Sequence, residues 1–181
     1  MSLRPLPVRS KTNAAAVGGA GFQALDDCHR QTLAALAKLD TVLARLDGSV
    51  DAETRVLAGD VVRHFSTTAR RHHEDEERHV FAKLAASGDP TLARAVSRLQ
   101  HDHHWLAADW MELLPHLDAI ACGQSWYDVD LLREGGAVFA ALSRDHIALE
   151  ESCIYPQVRQ HLQPHELAAM EPKPGCGSAD H

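Results

Sequence analysis

From about residue 20 to residue 161, apolar side chains recur every three or four positions, the spacing of helices that each hide one face. Phe22, Leu25, Leu33, Leu36, Leu43 and Leu46 mark a first helix, closed by the turn-forming run Asp47-Gly48-Ser49. A second stretch runs from about Ala52 to Ala86. It stops at Ser87-Gly88-Asp89-Pro90, where Asp89 can cap and Pro90 can open the next helix. The third has the most regular spacing, Leu92, Val96, Leu99, His103, Leu106, Trp110 and Leu113, and Pro115 is expected to kink or end it. A loop over residues 116–126 leads to a fourth helix from about Asp128 to His161. Its paired Gly135 and Gly136 mark either a close-packing point or a local break.

Four long amphipathic segments with short connections predict an all-α fold, an up-down-up-down four-helix bundle in one domain over residues 20–162. Residues 1–19, with Pro5, Pro7, Gly18 and Gly19 and no periodicity, predict a flexible arm. Residues 163–170 predict a short capping helix with Pro164 in its first turn, and a disordered tail follows to residue 181. Composition agrees with helices: Ala and Leu abound, while three Trp, two Tyr and four Phe are too few aromatics for a sheet protein.

The apolar stripes are interrupted by polar residues, and the interruptions repeat. "RHHEDEERHVFAK" at 71–83 and "DHIALEESCIYPQ" at 145–157 superpose with His146 on His72, Glu150 on Glu76, Glu151 on Glu77 and Tyr155 on Phe81. Residues four apart on a helix share a face, so each copy presents an imidazole nitrogen and a carboxylate side by side. Phe65, Thr68, His72, Glu76 and His79 form one stripe, and Phe139, Leu142, His146, Glu150 and Cys153 the other. A lone exposed His-xxx-Glu pair is an ordinary helix-surface contact. On faces meant for burial, however, a charge needs a partner or a metal. His29 sits among Leu25, Leu33 and Leu36, and His103 lies between Leu99 and Leu106. One core histidine per helix with two carboxylates points to a dinuclear metal site in the bundle core.

The formal charge of −7 argues against a nucleic-acid partner. No apolar run is long enough for a signal peptide or a membrane span, which predicts a cytoplasmic protein with no membrane partner. Cys28, Cys122, Cys153 and Cys176 form no Cys-xx-Cys pair and read as reduced thiols, with Cys28 and Cys153 as small core residues. Trp105, Trp110 and Trp126 read as core or rim.

These motifs resemble the hemerythrin-like, HHE cation-binding family. "DHIALEESCIYP" is similar to its last-helix phrase, "HHEDEERHVF" to its second-helix phrase, "DDCHRQTLAAL" to the first and "LQHDHHWLAADW" to the third. The resemblance implies a non-haem centre of two iron ions, with zinc or another divalent metal as the substitute. By position its ligands are His29, His72, Glu76, His103, His146 and Glu150. Three positions depart from the family pattern. Ala82 replaces a proline, Ala107 stands where oxygen carriers place a second third-helix histidine, and Glu150 replaces a shorter aspartate. The result is four clear histidines and an open coordination position. His73 with Glu77 repeats the spacing one residue round, but the aromatic nine residues after the first histidine in both copies selects His72. His101 and His104 fall off the stripe, and His79 is a fifth histidine or a donor to Glu76.

Such a centre implies binding of oxygen or nitric oxide, or a redox response to them. Iron donation to damaged iron–sulfur centres is the alternative. An oxidase or peroxidase-like activity has no general acid or substrate pocket legible in the sequence to support it. Any signalling requires a separate protein partner or a homo-oligomer, because no output domain is present in the sequence.

Overall fold

The computed structural model describes residues 14–48 and 50–161. Helix α1 is Ala14–Ala44, α2 spans 52–85, α3 is Pro90–Ala121 and α4 spans 129–161. α1 and α3 each pack against both α2 and α4, which closes an antiparallel four-helix bundle. No strand occurs among the described residues, and no described helix is long and apolar enough to cross a membrane. Residues 14–19, expected in a flexible arm, belong to α1. The expected capping helix and tail at 163–181 lie outside the described residues.

Short polar side chains start the helices. Asp51 accepts from the Thr54 N–H at 2.7 Å, Asp89 from Thr91 at 2.7 Å, and Asp128 from Leu131 at 3.0 Å. α3 does not stop at Pro115 but continues to Ala121. Pro115 is exposed and so is Met111, one turn back, so the carbonyl that loses its bond is left on the water side. The connection to α4 therefore shrinks to 122–128. α3 ends in a Schellman arrangement: Gln124 N–H donates to Ala119 O at 2.8 Å and Gly123 N–H to Ile120 O at 3.0 Å. Gly123 takes φ of 71° there, a conformation that suits glycine.

Gly135 and Gly136 are a packing point, not a break. A Cβ on Gly136 would lie 2.8 Å from Leu43 Cδ1, and one on Gly135 3.3 Å from Leu113 Cδ2, so α4 seats closely on α1 and α3. In α3 every residue of the expected apolar stripe is buried. In α1 Leu33 is 41% exposed instead of buried, and the core face runs through Leu36, Leu39 and Val42.

The core forms two apolar layers. One gathers Leu36, Leu39, Val61, Phe65, Leu117 and Phe139, among others, and the other gathers Leu25, Phe81, Leu84, Leu99, Ile154 and Val158. Buried polar side chains lie on the same helix faces between these sets: His29, His72, Glu76, His103, His146 and Glu150.

Three π-helical turns shift the helix faces: His64–Ala69 and Glu77–Phe81 in α2, and Glu150–Ile154 in α4. Each adds a residue to the turn and slips the stripe. Consequently Ala69 is buried where Thr68 was expected and Ile154 where Cys153 was expected, while Thr68 and Cys153 are exposed. Beyond Glu76, Val80 and Phe81 turn inward and His79 is only half-buried. The repeated phrase is thus also a repeated distortion, since a π turn starts at or just after the inward carboxylate in each copy.

Candidate metal centre

Each helix contributes donors to one buried cluster. α1 brings His29, α2 brings His72, His73 and Glu76, α3 brings His103, and α4 brings His146 and Glu150. The nitrogen and oxygen atoms fall into overlapping groups, each within 4.8 Å: His29, His72, Glu76 and Glu150 on one side, and Glu76, His103, His146 and Glu150 on the other. His73, His103 and His146 form a third group that overlaps the second. Both carboxylates belong to both main groups.

The contacts are short and involve inward Nε2 atoms. His29 Nε2 is 3.0 Å from Glu150 Oε2, His146 Nε2 3.2 Å from Glu150 Oε1, and His72 Nε2 3.3 Å from Glu76 Oε1. His103 Nε2 is 3.7 Å from Glu76 Oε2 and 3.2 Å from His146 Nε2.

The second glutamate of each Glu-Glu doublet has a different job. Glu77 Oε1 lies 2.9 Å from His103 Nδ1, and Glu151 Oε1 lies 3.2 Å from His29 Nδ1. Each doublet therefore points one carboxylate into the cage and uses the next to hold a histidine of another helix. A histidine that donates from Nδ1 leaves its Nε2 lone pair facing inward. For His146 on α4, Asp102 Oδ2 stands 3.9 Å from Nδ1, too far for a hydrogen bond. Tyr155 packs parallel to the His29 ring at 5.0 Å, and its hydroxyl lies 3.0 Å from His29 Nε2, holding the lone pair that a cation would take. Burial pushes the Tyr155 phenol up, so it remains protonated and donates.

Burial dominates the electrostatics. It lowers His72 and His103 to about 3 and His73 well below its ordinary value, and neighbouring histidines add to the shift, so these rings are neutral and able to ligate. Burial and the Glu150 charge push the Glu76 carboxyl well above the usual range. Burial acts on Glu150 in the same direction, but the close approach of the His146 and His29 rings outweighs it and holds Glu150 low. The two carboxyls of the cage are thus pushed in opposite directions.

Several of these atoms have no well-aligned hydrogen-bond partner among the described residues: His72 Nε2, Glu76 Oε2, both Glu150 oxygens, His146 Nδ1 and Asp102 Oδ2. Buried polar atoms left in that state are costly. Lone pairs converging from four helices, with two shared carboxylates and no thiolate, fit hard or borderline cations.

All six residues singled out from the sequence are brought together here. His73, which the aromatic spacing does not select, joins them: its ring stacks on His103 at 4.0 Å and meets His146 edge-on at 5.3 Å, so the cluster holds five histidines where the sequence predicts four. The signal that could have found it is its adjacency to His72: one step round the helix turns a side chain from the α1 side toward α3. His79 joins none of the clusters formed by the described residues. His101 is exposed and takes a hydrogen bond from Trp105 Nε1 at 2.8 Å, and His104 is exposed as well. Trp110 is buried, whereas Trp105 and Trp126 are more than half exposed. Cys28 is buried beside the cage, and burial with the nearby Glu76 charge pushes its thiol up to about 12.

A cavity of about 220 Å³ opens onto the cage, with His29, His72, His73, His146 and Glu150 in its lining, and exposed Arg70, Ala107 and Met111 border its outer side. No curated protein matches the chain. Over residues 20–158 it matches the family model of the hemerythrin HHE cation binding domain, and membership implies a bound metal cation at the histidine–glutamate cluster. The chain belongs to the hemerythrin HHE cation-binding family.

Proposed function

We propose that this protein binds two iron ions and uses them to bind, or respond to, a small diatomic molecule, oxygen or nitric oxide. The observation that carries the reading is the sharing of Glu76 and Glu150 between two adjacent donor groups. Two cations held in neighbouring groups would repel each other, and two shared carboxylates would supply the negative charge that offsets the repulsion. His29 and His72 would hold one ion, and His103 and His146, with His73 beside them, would hold the other. Imidazole and carboxylate donors without thiolate suit iron and manganese, and zinc is the redox-silent substitute.

Bound iron supplies reversible electron transfer and coordination of the gas. The chain supplies the rest. Glu77 and Glu151 fix the rings of His103 and His29. The apolar walls of the adjoining cavity, Phe65, Leu106, Trp110, Phe139 and Ile147, keep bulk water from the inner face while letting a neutral gas through. Burial of Glu76 and Glu150, at 1% and 0% exposure, supports held iron over iron released to other proteins.

The test is anaerobic loading with ferrous iron, counting metal per chain, then exposure to air or nitric oxide while the visible spectrum is recorded. Two irons and a gas-dependent spectrum that reverses under vacuum are expected. Iron that a weak chelator strips at once would favour donation, and retention of zinc alone would end the gas reading.

A further inference from the structure

The cavity beside the cage is larger than a diatomic needs. One water accounts for roughly 30 Å³ of liquid volume, and a cavity of about 150 Å³ lined by Leu, Ile and Phe is enough to take benzene. Here the volume is about 220 Å³. Two features of the sequence open it. The π turn His64–Ala69 widens α2 on this side, and Ala69 and Ala107 leave space where larger side chains would fill it.

The lining restricts what fits. Phe65, Trp110 and Phe139 form an aromatic cluster with ring centroids 4.9 to 5.7 Å apart, and Leu106, Leu114 and Ile147 extend the wall. The three hydroxyls on the lining are already engaged. Ser143 donates to Phe139 O at 2.8 Å, Thr32 donates to Cys28 O at 2.9 Å, and Ser66 accepts from Trp110 Nε1 at 3.3 Å. Arg70 stands at the exposed mouth, where Glu74 is within 3.4 Å of its guanidinium. Between Arg70 at the mouth and the donors His29, His72, His73, His146 and Glu150 at the inner end, the wall is therefore mostly apolar surface.

We infer that this cavity is a binding site for an uncharged, apolar organic molecule of single-ring size, entering between α2 and α3 past Ala107 and Met111 and ending against His72, His73 and His146. Apolar burial against three aromatic rings drives binding. A molecule seated there lies next to the donor cluster, in the path by which a gas reaches it. The site is formed by protein side chains alone and does not require the metal.

The experiment is a titration with fluorobenzene followed by fluorine NMR, on the protein as isolated and after stripping with a chelator. Saturable binding of one probe per chain is expected in both. Ala107 is exposed and helix-compatible, so Ala107→Leu closes the mouth without disturbing the core. That variant should bind at least tenfold more weakly with an unchanged melting curve, while Ala107→Ser keeps the affinity. No saturable binding up to the solubility of the probe overturns the inference, as does binding that Ala107→Leu leaves unchanged. Tighter binding of benzoate than of fluorobenzene also overturns it, because the affinity would then come from the Arg70 charge. Since the stripped protein is part of the test, failure here leaves the iron reading intact, and failure to load iron leaves this site standing.

Discussion

Glu77 and Glu151 are about half exposed, at 47% and 52%, yet each holds the outer nitrogen of a buried histidine on another helix. Removing such a support loosens the ligand's orientation, an effect worth about ten- to a hundredfold in metal affinity. Glu77→Ala and Glu151→Ala should therefore each weaken metal binding by that order in a competition titration with a coloured chelator, with little change in helix content. Unchanged affinity in both variants would mean that the contacts are incidental. Thiol reactivity gives a chemical map at the same scale. Cys28, with its thiol pushed up to about 12, should resist alkylation in the native protein, while exposed Cys122 and Cys153 react; peptide mass mapping reads the result. For single residues the sequence was informative wherever a polar residue broke an apolar stripe, because burial of His29 or Glu76 has no cheap explanation. It was uninformative about His73, whose neighbour already satisfied the spacing. It was uninformative about the second glutamates too, whose partners sit on other helices and are invisible to any periodicity.

Helices α2 and α4 carry what the pattern of apolar residues could not reveal. Capping by Asp89, the turn after α1 and the regular face of α3 could all be read, because each depends on local residue chemistry. A π turn has no such mark: it accommodates one extra residue and then restores the register, so the stripe looks merely irregular. That origin makes a prediction. Deleting exposed Thr67 from the turn His64–Ala69 converts it to ordinary helix and leaves downstream residues on their faces. Deleting exposed Arg94 from the uninterrupted α3 rotates everything after it by about 100° and buries the wrong side. Thermal melts should show cooperative unfolding for the first deletion and none for the second; equal damage from both would mean that the π turn is not a one-residue insertion. Close packing of α4 gives a second case. Gly136→Val places a branched side chain against Leu43, whose Cδ1 is already 2.8 Å from where a Cβ would sit. A loss of about 1 to 3 kcal/mol in denaturant melts is expected from overpacking.

For the whole molecule, the cage makes stability depend on protons and on metal together. His72, His73 and His103 are all lowered by burial, so the folded protein refuses protons that the unfolded chain accepts below about pH 6.5. As pH falls through that value, each such histidine costs the metal-free fold up to about 1.4 kcal/mol per pH unit. Glu76 acts the other way: its raised pKa means that the folded state holds a proton the unfolded chain has lost, which favours folding as pH falls toward 4.5. Three groups oppose one, so the metal-free protein should lose stability between pH 6.5 and 4.5. A cation held by the histidine–glutamate cluster would change the balance. At a hundredfold excess over its dissociation constant it adds about 2.7 kcal/mol, which in a domain of this size raises the melting temperature by roughly 5 to 10 °C. Because protons compete with the cation for the same cluster, that increment should shrink as pH falls. Melting curves with and without metal at pH 7.5, 6.5 and 5.5 measure both effects. A metal-free protein whose stability stays flat across that range would show that the histidines are not held neutral by burial. A metal increment that stays constant with pH would place the bound cation somewhere other than this cage.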